Sequence, residues 1–291
     1  METAFSLARF LHYSAAIQLF GMAIFETWIA PEALSSSLLG TSRRIAIFNA
    51  WLLLASAAAW LALEAGTMGN GWGDVVNPGT IWLVITATGF GQVWVFNLIL
   101  AVIAVLIAHL LGPRRWAALA IAATLCLAGL AFIGHAVDGT GTWGLLSEAS
   151  QVIHLLSSGF WFGSLLSLVL VLRQIRDPRY TAETDIALRR FSGLGHAAVA
   201  LALASGLANS WFVLRDSPLT LASTYQLLLA LKVALVGTMC LLALVNRYVF
   251  MPAIPAGDPG ARRLRDGTIA ELIVGTGVIA LVSVIGLLSP S

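Results

Sequence analysis

The sequence predicts an all-α membrane protein that crosses the bilayer many times. Of its 291 residues, 59% are hydrophobic and only 10% are charged, whereas a soluble domain carries about a quarter charged residues. Apolar stretches of at least about 18 residues can cross a bilayer as helices. The chain has eight such stretches, at 4–29, 43–65, 81–111, 115–136, 147–172, 188–213, 223–247 and 267–288. We therefore expect eight transmembrane helices that form a single transmembrane domain over residues 1–291.

Arginine is concentrated in alternate loops between these spans. The predicted 1–2, 3–4, 5–6 and 7–8 loops contain Arg43, Arg44, Arg114, Arg115, Arg173, Arg176, Arg179, Arg189, Arg190, Arg247, Arg262, Arg263 and Arg265. The 2–3 and 4–5 loops have no basic residue, and the 6–7 loop has only Arg215. Cytoplasmic loops are enriched in Lys and Arg, so both termini are predicted to lie on the outer side of the membrane.

Several classes of chemistry have no support in the sequence. Cys126 and Cys240 each lie inside an apolar run without CxxC spacing, which argues against a disulfide framework or a thiolate cluster. No nucleotide-binding loop, nucleophile elbow or HExxH motif occurs. Ordinary hydrolase and kinase functions are therefore excluded.

The histidines are the strongest candidates for a functional site. All five lie inside or at the edge of spans, where ionisable groups are costly and usually face the bundle interior or a wet cavity. From the helical rise, His12 and His154 are expected roughly 12 and 10 Å below the outer surface, and His135 lies near the outer end of the fourth span. Imidazole is a good ligand for copper, zinc and iron. The alternative is that each histidine only hydrogen-bonds a neighbouring helix.

Other histidines and outer-loop residues could extend such a site. Met68, Asp74 and Asp138 lie in outward loops and could capture a metal ion. His196 enters from the opposite side and is expected near the midplane, either in a relay or in a second ligand pair. His109, at the cytoplasmic end of the third span, is interpreted as a snorkelling interfacial residue.

The seventh span carries polar residues at seven-residue intervals, namely Tyr225, Lys232, Met239 and Asn246. A lysine near mid-bilayer needs a partner, which could be a backbone carbonyl, Asn209 or a bound anion; a structural tie between helices is the alternative. Glu26 and Glu271 are expected to pair with nearby arginines. Lys232 and Glu26 are the candidates for coupling transport to an ion gradient.

The chain resembles the CopD/PcoD family of bacterial inner-membrane copper proteins over nearly its whole length. The segments that carry the resemblance are RFLHYSA at 9–15, TMGNGWGDV at 67–75, GFGQVW at 89–94, GHA at 134–136, VIHLLSSGFWFGSLL at 152–166, RFSGLGH at 190–196, SGLANS at 205–210, LLLALK at 227–232 and NRYVFMP at 246–252.

The resemblance implies a multi-pass protein of the bacterial cytoplasmic membrane that takes copper from a periplasmic CopC-like carrier and moves it inward. The family pattern falls on His12, His135, His154, His196, Met68, Trp72, Asp74, Trp94, Asn209, Lys232 and Asn246. Some relatives are fused to a CopC-like domain. This chain has none, so a separate partner is expected.

Two other functions remain open from the sequence. Intramembrane histidines on different helices could ligate b-type haem in a membrane redox protein, or a copper site could exchange electrons with quinone. Alternatively, the protein could hold a periplasmic metallochaperone without transporting copper.

Overall fold

The computed structural model describes residues 1–112, 115–133, 141–215, 223–254 and 258–289, and every regular element in these ranges is helical. The helices are α1 (Glu2–Ile24), α2 (Glu32–Met68), α3 (Pro78–Ala87), α4 (Gly89–His109), α5 (Trp116–Gly129), α6 (Gly141–Gly163), α7 (Leu165–Gln174), α8 (Thr181–Leu214), α9 (Thr224–Val245) and α10 (Asp258–Ile285). A π-helical turn, Phe25–Ile29, extends α1, and a second, Asn246–Phe250, extends α9.

Six helical segments of the described chain are long and apolar enough to cross a membrane. They are Glu32–Met68, Gly89–His109, Gly141–Gln174, Thr181–Leu214, Thr224–Phe250 and Pro259–Ile285. The expected span 115–136 appears as a shorter apolar helix, Trp116–Phe132. The expected span 4–29 corresponds to α1 and its π-helical extension, which contain Arg9, His12 and Gln18 and are not among the six. The count of eight spans therefore stays a prediction.

α1 lies inside the bundle rather than at its lipid-facing surface. It packs against α2, α5, α6 and α10, and residues such as Ala15, Leu19 and Met22 are almost completely buried. The approach to α6 is close: a Cβ on Gly163 would lie 2.1 Å from the Ile17 carbonyl oxygen. Small residues permit such backbone contact between membrane helices.

The predicted third span is a helical hairpin in the structure. The chain becomes extended at Thr88, whose hydroxyl caps α4 by accepting a hydrogen bond from the Gly91 N–H at 2.9 Å. A Cβ on Gly91 would lie 2.1 Å from the Val84 carbonyl oxygen. A glycine at this position is therefore what lets α3 return closely against the start of α4.

The arginine-bearing helix ends meet at one end of the bundle. Arg43 donates to the carbonyl of His109 at 2.5 Å, and Arg190 donates to the carbonyl of Ile29 at 3.5 Å. Arg43 lies within α2 and Arg190 within α8, so the prediction that these arginines occupy loops was wrong. Helix α2 begins at Glu32, eleven residues earlier than the predicted span, with Pro31 as its N-cap.

At the opposite end, the N-terminal part of α1 meets the C-terminal end of α10. Arg9 donates to the carbonyl of Gly286 at 3.2 Å. A Cβ on Gly66, near the end of α2, would lie 3.3 Å from the Met1 side chain. The described ends of the chain and the loop that follows α2 therefore share one end of the molecule.

Replacing Gly163 with alanine should destabilise the bundle. The added methyl would collide with the backbone of α1, and overpacking of this kind costs about 1–3 kcal/mol. Gly237→Ala in α9 is the matched control, because a Cβ at Gly237 meets nothing within 4 Å. Thermal unfolding in detergent should show a lower midpoint for Gly163→Ala and an unchanged or higher midpoint for the control. Equal midpoints would contradict the close contact.

Candidate functional site

His12 lies in the buried interior between α1, α2 and α4, with 1% of its surface exposed. Its Nδ1 is 3.2 Å from the Ser56 hydroxyl oxygen, and that hydroxyl lies 3.0 Å from the carbonyl oxygen of Leu53. Because the Ser56 hydroxyl donates to the carbonyl, it accepts from His12, and Nδ1 carries the proton. The other nitrogen, Nε2, is then unprotonated and has a free lone pair. It is buried and has no hydrogen-bond partner.

Aromatic rings surround this imidazole. The His12 ring centroid lies 5.1 Å from that of Trp94 and 5.7 Å from that of Trp60. Trp94 is held by a hydrogen bond of 2.8 Å from its Nε1 to the carbonyl of Ala57. The free nitrogen of His12 is thus enclosed by side chains of α1, α2 and α4.

His154 repeats this arrangement at another helix contact. It lies on α6, and its Nδ1 is 3.0 Å from the carbonyl oxygen of Ala202 on α8. A carbonyl can only accept, so Nδ1 is protonated and Nε2 again holds the lone pair. Metal-binding histidines commonly fix their free nitrogen by donating the other N–H to a carbonyl or hydroxyl. His12 and His154 both have this property.

The structure does not bring the histidines into one coordination shell. Helices α1, α5 and α6, which correspond to the first, fourth and fifth predicted spans, do contact one another. His12 nevertheless faces α2 and α4, whereas His154 faces α8. Within the described ranges, no group of three or more His, Cys, Asp or Glu side chains could hold a metal ion. His135 and Asp138 lie outside the described residues.

Hydrogen bonds occupy both ring nitrogens of His196 and the Nε2 of His109. His196 is exposed, its Nδ1 lies 2.6 Å from the Ser192 carbonyl oxygen, and its Nε2 lies 3.1 Å from the Tyr248 hydroxyl. The exposed His109 accepts at Nε2 from Trp51 at 3.0 Å. These two imidazoles are therefore less available as ligands than those of His12 and His154.

Lys232 lies near His154 on the neighbouring helix α9, close enough for an electrostatic interaction with it. No hydrogen bond or ion pair of the Lys232 ammonium is found in the described part of the chain. Asn209, one of its predicted partners, instead donates to Gln151 at 2.6 Å. The amino group of Lys232 is therefore available to a ligand in this region.

The two buried glutamates have neutral partners, so the prediction that they pair with arginines was wrong. Glu26 accepts from Ser35 at 2.5 Å and from Ser42 at 2.6 Å. Glu271 accepts from Asn246 at 2.5 Å. Both serines lie on the first three turns of α2, which the sequence pattern had left outside the span.

The predicted capture residues lie in and beside the loop after α2. Met68 ends α2 and is 53% exposed. The carboxylate of Asp74 accepts from the Asn70 backbone N–H at 2.6 Å and from the Asn77 and Thr80 side chains at 2.8 and 2.9 Å. These hydrogen bonds hold the pKa of Asp74 below its usual value. In this arrangement Asp74 shapes the loop, while Met68 offers its thioether to the outside.

Sequence reasoning missed Ser56 and Trp60, which contact His12. Both lie on α2, four residues apart, so they share a helix face. Trp60 also lies under the guanidinium of Arg9, whose Cζ is 5.0 Å from the Trp60 ring centroid. The four-residue spacing was the available signal, but serine and tryptophan are common enough in membrane helices that it does not identify a site.

A bundle of long apolar helices with basic residues at one end defines a multi-pass membrane protein. Comparison with known families then gives its identity. A family model described as "Copper resistance protein D-like, N-terminal domain" matches residues 1–145, and one described as "Copper resistance protein D" matches residues 186–285. The chain belongs to the copper resistance protein D family.

Several curated proteins are similar to the chain. It is 34% identical to "Inner membrane protein YebZ" of Escherichia coli over 97% of each chain. It is 29% identical to "Copper resistance protein D" of Pseudomonas syringae pv. tomato, over 100% of this chain and 98% of the relative. It is 31% identical to "Copper transport protein CutJ" of Bacillus subtilis over 61% of this chain and 34% of the relative. No solved structure matches significantly.

These relatives and the apolar helices establish a multi-pass protein of the bacterial inner membrane. The predicted family and location are thereby confirmed. Copper is linked to the chain by the names of the family and of two relatives. The contribution of individual residues to copper handling is a separate question.

The Asp74 loop should lose order at low pH. Its hydrogen bonds lower the pKa of Asp74 in the folded protein, so their stabilisation is complete above the ordinary carboxyl pKa and disappears as the pH falls through the folded pKa. Hydrogen exchange of residues 69–77, corrected for intrinsic rates, should show faster opening at pH 3 than at pH 6. Asp74→Asn should open faster at both pH values and lose most of the pH dependence. Asp185→Asn, at the other end of the bundle, should behave like the wild type.

Proposed function

We propose that this protein takes copper from the outer side of the inner membrane and passes it into or across the membrane through His12 and His154. The free, buried Nε2 of His12, oriented by the Nδ1–H contact with Ser56, is the observation that carries the proposal. A buried polar atom without a partner costs about 1–3 kcal/mol. A metal ion that accepts its lone pair removes that cost.

The surroundings of His12 favour the cuprous ion as cargo. Cu(I) is a soft ion with a single positive charge, and it accepts imidazole and thioether donors. The rings of Trp60 and Trp94 lie 5.7 and 5.1 Å from the imidazole, and aromatic rings attract cations. A doubly charged ion that demands several oxygen ligands would find few donors among these rings.

Entry would begin at the outer end of the bundle. Met68 presents an exposed thioether next to the ordered Asp74 loop, and Trp72 in the same loop is 60% exposed. We assign this surface to copper capture from a separate periplasmic CopC-like carrier, together with His135 and Asp138 from the following outer loop. His196 would act later on the path, after a change of its present hydrogen bonds.

A haem function is less well supported. Bis-imidazole ligation needs two histidine rings directed at one iron from opposite sides, and His12 and His154 have different helical neighbours. None of the relatives' names mentions haem. The third alternative, a membrane anchor for a metallochaperone, does not use the oriented interior nitrogens.

Copper bound per chain should depend on His12 and Ser56. His12→Ala and His154→Ala should each lower the copper retained by detergent-purified protein, measured with iron by elemental analysis after growth with and without added copper. Ser56→Ala leaves the imidazole but frees its orientation, and loss of such a contact typically weakens metal binding about 10–100-fold. His109→Ala is the control and should retain wild-type copper content.

Two results would overturn the assignment. Unchanged copper in His12→Ala and His154→Ala would remove these residues from the path. Stoichiometric iron with a haem absorption spectrum would make them axial ligands instead. Normal copper uptake by vesicles that contain the purified protein would argue against a purely anchoring function.

The proposal also requires eight spans with both termini in the periplasm. Single cysteines at Glu2 and Gly40, each in a Cys126→Ser and Cys240→Ser background, test this arrangement. A membrane-impermeant maleimide applied to spheroplasts should label position 2 and leave position 40 unlabelled until the membrane is opened. Gly40 tolerates the change because a Cβ there meets nothing within 4 Å. The reverse labelling pattern would place the assigned entry surface in the cytoplasm, and the proposed direction of transport would then be wrong.

A further inference from the structure

An apolar cavity opens between α8 and α9 near the arginine-bearing end of the bundle. Its volume is about 370 Å³, and most of its lining is apolar. Phe191 and Val199 of α8, Leu244 of α9 and Leu168 of α7 contribute to the walls. The hydrogen bond between His196 and Tyr248 joins α8 to the extension of α9 beside the cavity. The cavity has the width and polarity that suit a hydrocarbon chain.

Arg247 gives this cavity an unusual charge. It lines the cavity and is half-buried, and its one hydrogen bond in the described part of the chain goes to the Met251 thioether at 3.1 Å. A guanidinium has five N–H donors, and a thioether is a weak acceptor. Among the described residues, Arg247 therefore holds unused donors and a positive charge without a counter-ion at the edge of an apolar space.

Three other arginines near this end have acidic neighbours. The described ion pairs are Arg179–Asp177 at 2.6 Å, Arg189–Asp185 at 2.7 Å and Arg265–Asp266 at 2.9 Å. The cavity does contain one acidic residue, Glu271, but its carboxylate is bonded to Asn246 and Trp161. Arg247 thus lacks the intramolecular counter-ion that these arginines have.

We propose that the cleft between α8 and α9 binds an anionic phospholipid, with an acyl chain in the cavity and the headgroup phosphate at Arg247. Basic pockets between membrane helices on the cytoplasmic side are typical sites for anionic lipid headgroups. Guanidinium and phosphate form strong charge-assisted hydrogen bonds, often two at once. The lipid also fills the space that α8 and α9 leave between them. The lipid site does not include His12 or His154, although His196 lines the cavity.

Lipid-dependent stability provides the test. Delipidated full-length protein in mild detergent is titrated with phosphatidylglycerol or with phosphatidylcholine of the same acyl chains, and the thermal unfolding midpoint is followed. Phosphatidylglycerol should raise the midpoint at lower concentration than phosphatidylcholine. Arg247→Gln should weaken the apparent affinity for phosphatidylglycerol about five-fold, as expected for one basic residue at an anionic lipid surface, and leave the phosphatidylcholine response unchanged.

Two further variants separate the headgroup from the acyl chain. Ala243→Phe places a larger side chain in the cavity lining and should weaken binding of both lipids. Arg189→Gln, which removes a paired arginine from the same end, should leave the selectivity as in the wild type. Equal responses of wild type and Arg247→Gln to phosphatidylglycerol would overturn the proposal. Mass spectrometry of the purified wild type and Ala243→Phe gives two further results that would overturn it. One is a quinone that the wild type retains and the variant loses, and the other is no retained lipid in the wild type.

Discussion

The backbone contact between α1 and α6 holds the rest of the bundle in place. Gly21 and Gly163 let the two helices approach so closely that a Cβ on Gly21 would lie 2.2 Å from the Gly163 backbone. Side chains reinforce the contact: Gln18 donates to the Gly163 carbonyl at 3.0 Å, and Ser164 donates to the Gly21 carbonyl at 3.1 Å. Because α1 is enclosed by protein, it can carry polar residues that a lipid-facing helix could not.

This enclosure explains what the sequence could and could not predict about the fold. Apolar length is a local property, so the positions of the helices were predicted well. The enclosure of α1 depends on its neighbours instead. Its polar residues lower its hydropathy, and packing against other helices hides these residues from lipid. Partners were hardest to predict. Glu26 was expected to meet an arginine, but the early start of α2 places Ser35 and Ser42 beside it.

The same distinction applies to the candidate site. Histidine in an apolar span is rare enough that His12 and His154 stood out from the sequence. Which ring nitrogen is free depends on the hydrogen-bond acceptor that each imidazole meets on the facing helix. That acceptor depends on how each helix is rotated about its axis, and tertiary packing sets this rotation. Ser56 and Trp60 became recognisable only when α2 was seen to turn that face toward α1. The predicted depths of His12 and His154 do not specify which way their side chains point.

Two fixed cations lie beside the two oriented histidines, and this bears on how copper could leave them. Arg9, one turn toward the N-terminus from His12, is engaged with Tyr13 at 3.0 Å and with the ring of Trp60. Lys232 lies near His154 without a counter-ion in the described structure. A transport site must bind its ion strongly enough to admit it and weakly enough to release it. A positive charge next to a neutral imidazole lowers the affinity of that imidazole for a cation. In the proposed path, the Arg9 guanidinium would limit the affinity of His12 for copper in this way, because its neighbours Tyr13 and Trp60 are neutral. A protonated Lys232 would do the same at His154 and would favour release of copper there.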